Sequence, residues 1–104
     1  MQYVVLATHT PDLCPTSNAK IRELMKQGSK EIPSLAGKLG VKIVTLNVFG
    51  PDHQVIAVVE ADDIERVRDF VMESRLIQWN TVNVHATYTM EEALAKADKL
   101  PTLF

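Results

Sequence analysis

The period of apolar and polar positions changes several times along the chain, and the changes mark its elements. Residues 2–9 are β-branched and apolar on both faces, which predicts a strand, and Pro11 and Pro15 end it. Thr16, Ser17 or Asn18 suits a helix N-cap, after which Ala19, Ile21, Leu24 and Met25 recur at helical spacing. Gly28 interrupts the pattern. Ile32, Leu35, Ala36 and Leu39 resume it, with Pro33 in a first turn where proline is tolerated, and Gly40 suits a helix terminus. Residues 41–49 and 53–61 read as two strands joined by the Gly50-Pro51-Asp52 turn, hence a hairpin. Asp62, with Glu65 three residues on, predicts the start of a helix whose buried stripe is Ile64, Val67, Phe70 and Val71. Residues 81–88 form a fourth strand, and Thr89-Met90-Glu91-Glu92 opens a short last helix reaching about Lys99.

The string β-α-β-β-α-β plus a helix is the split βαβ, or ferredoxin-like, arrangement. The expected class is α+β, one domain over residues 1–104, with a four-stranded antiparallel sheet in the order 4-1-3-2.

Alternation along the strands sorts side chains onto two faces. One parity, Val4, Leu6, Val44, Leu46, Val48, Ile56, Val58, Val82, Val84 and Ala86, is aliphatic and is assigned to the helices. The other is mixed: Val5, Ala7 and His9; Ile43, Thr45, Asn47 and Phe49; His53, Val55, Ala57 and Val59; Thr81, Asn83, His85 and Thr87. All three histidines fall on this second face. It is too apolar for water, so a second copy laid over it as a two-fold dimer is expected.

Chemistry follows from that arrangement. The order 4-1-3-2 brings the end of the first strand beside the starts of the third and fourth. His9 and His53 become near neighbours there, Trp79 and Asn80 share the rim, and the loop carrying Cys14 leaves it. Two neutral imidazoles and a thiolate are soft-to-borderline ligands, so His9, His53 and Cys14 are the candidate ligands of a transition metal ion. His85, Asn83, Asn47 and Trp79 are candidate ligand contacts in the enclosed space. No CxxC, HExxH, nucleophile elbow or Gly-rich phosphate loop is present, so any site is assembled in space.

Composition narrows the partners. The chain has 46% hydrophobic residues and a formal charge of −2, and its 11 Lys and Arg form no basic run. These give no basis for nucleic-acid or anionic-membrane binding. No apolar block approaches the roughly 18 residues of a membrane span. One cysteine permits no intrachain disulfide, and with no basic leader the expected location is the cytoplasm.

Two stretches, LGVKIVTLNVFGPDHQVIAVVEADD and NTVNVHATYTMEEAL, resemble the dimeric α/β-barrel superfamily and its small GYD-type domains, over roughly residues 1 to 95. Gly50, Asp52 and the Glu60-Ala61-Asp62 end fit the motif, while Pro51 stands where it has tyrosine. The resemblance implies a ferredoxin-like protomer and a dimer. That superfamily includes monooxygenases, haem-degrading enzymes, isomerases and binding modules, and none of its catalytic residues carries over. The resulting expectation is a small dimeric binding protein with a between-sheet pocket for a metal ion or small ligand near His9 and His53. The alternatives are a monooxygenase- or isomerase-like enzyme using pocket histidines and a ligand-sensing regulatory module.

Overall fold

The computed structural model describes residues 1–104. Its elements are β1 (Gln2–Thr8), α1 (Ala19–Leu39), β2 (Lys42–Phe49), β3 (Gln54–Glu60), α2 (Ile64–Glu73), β4 (Thr81–Ala86) and α3 (Met90–Ala97), with 3-10 turns at Pro11–Leu13 and Leu76–Gln78. The class is α+β. The four strands form one antiparallel sheet in the order β2-β3-β1-β4, which from the opposite edge is 4-1-3-2.

Helix boundaries follow local chemistry. Asn18 caps α1, its side-chain oxygen accepting from the Ile21 N–H at 3.1 Å. The two helical pieces expected around Gly28 are one continuous helix of 21 residues with Pro33 inside it. Packing of Ile32, Leu35 and Ala36 on the core carries the helix through the lost proline donor. Gly40 ends it at φ 71°, a left-handed conformation that favours glycine, and the Val41 N–H closes back on the Ala36 carbonyl at 2.8 Å. The cap of α2 is Asp63, not Asp62: its carboxylate accepts from the Arg66 N–H at 3.1 Å. Thr89 caps α3 as expected, accepting from the Glu92 N–H at 3.1 Å.

The face assignment of the two central strands is reversed. Tyr3, Val5, Ala7, Val55, Ala57 and Val59 are buried under α1 and α2 with Val67, Phe70 and Val71. The register pairs Val5 with Val84 and Ala57, and Val48 with Val55, so the aliphatic residues of β4 and the end of β2 do lie on the helix side. Val4, Leu6, Ile56 and Val58 form the centre of the open face, flanked by Asn47, Asn83 and His85. The sequence misleads here because both central strands are apolar on both faces. Across β2, a register shift between Ile43 and Thr45 also breaks the alternation.

The core is thin: 15 of 104 residues are buried, and α3 buries none. The radius of gyration is 16.3 Å, above the roughly 13 Å of a compact domain this size. Leu94, Leu100, Leu103 and Phe104 are all exposed.

Candidate metal centre

Three chain segments meet at the end of the sheet where β1 finishes. The first is the exit of β1. The His9 N–H donates to the His53 carbonyl at 3.1 Å, extending the β1–β3 ladder one step beyond the Thr8–Gln54 pair. This bond holds the two imidazoles side by side, with ring centroids 5.5 Å apart and planes at 73°.

The second segment is the β2–β3 turn. His53 closes it at φ 55°, in the left-handed region that few non-glycine residues enter. His53 nevertheless stays in register with His9, so its ring lies on the side of the sheet that carries Ala7 and Val55.

The third is the loop before α1. The Cys14 carbonyl accepts from the Ser17 and Asn18 N–H groups at 2.9 and 2.8 Å. Asn18 Nδ2 donates to the Asp12 carbonyl at 3.2 Å, and Arg22 donates to the Pro15 and Thr16 carbonyls at 2.8 and 3.1 Å. The loop is thereby tied to the first turn of α1, and it carries Cys14, 3% exposed, over the two imidazoles.

The outcome is a group of His9, Cys14 and His53 whose donor atoms lie within 4.8 Å of one another, with no aspartate or glutamate among them. Donors around a bound ion at ordinary metal–N and metal–S lengths stand roughly 3.5 Å apart, so closure by about 1 Å completes a site. His9 Nε2 and His53 Nδ1 are buried and have no hydrogen-bond partner. Buried polar atoms are rarely left so, and two aimed at one thiol have the chemistry of a ligand set.

A chain of hydrogen bonds fixes which nitrogen of His9 is free. The Leu76 carbonyl can only accept, so the Asn80 NH2 faces it at 3.2 Å. Asn80 Oδ1 is then 2.9 Å from His9 Nδ1 and accepts its proton. In the neutral ring Nε2 therefore bears the lone pair, directed at the group. Thr16 Oγ1 donates to Cys14 Sγ at 3.0 Å. That bond, with one from the Thr16 backbone, holds the Cys14 pKa down to about 6 from 9.0, against the opposing effect of burial. The two histidines lower it further, although neither ring nitrogen reaches full hydrogen-bond geometry. This lowering favours the thiolate, the form that binds metals.

Trp79 packs on the outer side of His9, with centroids 5.1 Å apart, and belongs to a helix-side cluster with Ala7 and Val55. Beyond it lies an open cavity of about 390 Å³, walled by His9, Thr10, Leu13, Gln78 and Asn80. The group is thus at the rim on the helix side of the sheet, and the three histidines do not share a face. His85 pairs across β1 with Val4 on the open face. Asn83 lies beside Leu6 and Asn47 beside Ile56 on that same face, but on opposite edge strands. Of the residues expected to contact a ligand, only Trp79 reaches the histidine pair. Asn80, placed by the sequence only at the rim, and Thr16, read only as a possible helix cap, are the residues that bond to His9 and Cys14. The signal for Asn80 was its place opposite His9 at the start of β4, and for Thr16 its spacing from Cys14.

No helix is long and apolar enough to cross a membrane. The sequence matches no protein-family model and no curated protein.

Proposed function

We propose that this is a small metal-binding protein whose ion is held by His9 Nε2, Cys14 Sγ and His53 Nδ1. The observation that carries this reading is the pair of buried, partnerless imidazole nitrogens beside one cysteine sulfur. Asn80 and Thr16 support it by orienting His9 and stabilising the sulfur. The protomer is read as ferredoxin-like, in line with the dimeric α/β-barrel resemblance. Its apolar open face, with Leu6 exposed at the centre, is read as the surface a second copy covers. On this reading the dimer does not enclose the ion, because the ligands stand on the other side of the sheet.

The test is elemental analysis with native mass spectrometry on protein purified without a nickel column. Near one ion per chain is expected, lost in His9→Ala, Cys14→Ser and His53→Ala. Folded protein with no stoichiometric metal after reconstitution would falsify the assignment.

The cavity beside His9 and Asn80 favours a second reading, in which a small polar molecule binds there and His9 moves a proton. Turnover that survives chelation and fails in His9→Ala would select it.

A further inference from the structure

We infer that the ion is copper(I), bound in a three-coordinate shell of two imidazoles and one thiolate; this rests on the metal-binding reading above.

Charge supplies the first argument. The group contains one anionic ligand and no carboxylate. Asp12 and Asp52, the acidic residues nearest in sequence, are exposed. With a thiolate, a monovalent ion gives a neutral centre and a divalent ion gives a net charge of plus one. Cys14 is buried and the two donor nitrogens are closed to solvent, so an uncompensated charge would be costly there. The neutral combination carries no such penalty.

Coordination number supplies the second. Zinc sites are nearly always four-coordinate, and a site with three protein ligands completes the shell with water or substrate. Here no fourth histidine, cysteine or carboxylate joins the group, and the donor nitrogens face the interior. Copper(I) is a soft d10 ion content with three ligands, and thiolate with imidazole is a donor set that suits it. Asn80 and Thr16 fit the same chemistry. The amide fixes His9 with Nε2 inward, and the hydroxyl stabilises the thiolate without adding a charge. A three-coordinate ion whose donors face the interior offers no position to a substrate.

The metal-free protein is loaded anaerobically with one equivalent of copper(I) or of zinc(II). Each is titrated against a competing chelator, and the copper sample is examined by X-ray absorption. The expected result is one copper per chain with two imidazole nitrogens and one sulfur, and zinc binding weaker by more than about a hundredfold. Cys14→Ser, His9→Ala and His53→Ala should each lower copper affinity by more than the roughly 10- to 100-fold typical of losing an outer partner. Zinc held as tightly as copper, a fourth ligand on copper, or a two-sulfur shell drawn from two chains overturns the copper assignment and leaves metal binding standing. Failure of both ions to bind stoichiometrically, or affinities unchanged in all three variants, overturns both.

Discussion

Asn80 shows how much of the proposed centre would depend on a residue that touches no ion. Its amide is oriented by the Leu76 carbonyl and in turn sets the proton of His9. Replacing it with Ala frees the ring to rotate or change tautomer, and metal affinity should drop by roughly 10- to 100-fold in a competition titration. Asn80→Asp keeps an acceptor for His9 but sets a second oxygen against the Leu76 carbonyl, so it should recover only part of the loss. Cys14 predicts a pH signature. A thiol whose folded pKa lies below its unfolded value adds stability at high pH. That gain is complete above 9.0 and is lost as pH falls through about 6. In metal-free protein the melting-temperature advantage of wild type over Cys14→Ser should shrink across that range; an advantage independent of pH would count against the depressed thiol. His53 is held at φ 55°, which Asn also tolerates. His53→Asn should stay within about 0.5 kcal/mol of wild type in denaturant unfolding while losing the ion, whereas a β-branched Val there should cost about 1–2 kcal/mol. The candidate ligands were legible in the sequence because topology alone brings His9 near His53. Asn80 was not, because its role comes from the direction of two hydrogen bonds, which spacing does not encode.

At the scale of elements, periodicity and caps located every helix and strand. Errors arose where one residue decides the outcome. Asp62 and Asp63 are adjacent and equally suited to cap α2, and only the bond to Arg66 distinguishes them. Asp63→Ala should therefore cost about 1 kcal/mol and Asp62→Ala little, measured by chemical denaturation. Pro33 reads as a helix start because its missing donor is free there. In α1 the apolar side chains on either side of it bind the same core, so the helix continues. Face assignment failed for a related reason. Val4 and Val5, or Ile56 and Ala57, are both apolar, so alternation carries no sign until burial supplies one.

For the whole molecule, the thin core, the bare apolar face and the unpacked α3 all favour association. Leu6→Lys places a charge at the centre of that face. It should convert the proposed dimer into monomers in sedimentation without removing a bound ion, since the candidate ligands lie on the other side of the sheet. Loss of both together would tie the centre to the interface. A last consequence follows from the way His9, Cys14 and His53 come from a strand exit, a helix-leading loop and a hairpin. An ion among them cross-links parts of the backbone that a chain with a single cysteine has no disulfide to join. At a hundredfold excess over the dissociation constant such a staple adds about 2.7 kcal/mol. Stripping it should first loosen that one end, so amide exchange would quicken around residues 9–18 and 50–54 before the rest of the sheet responds.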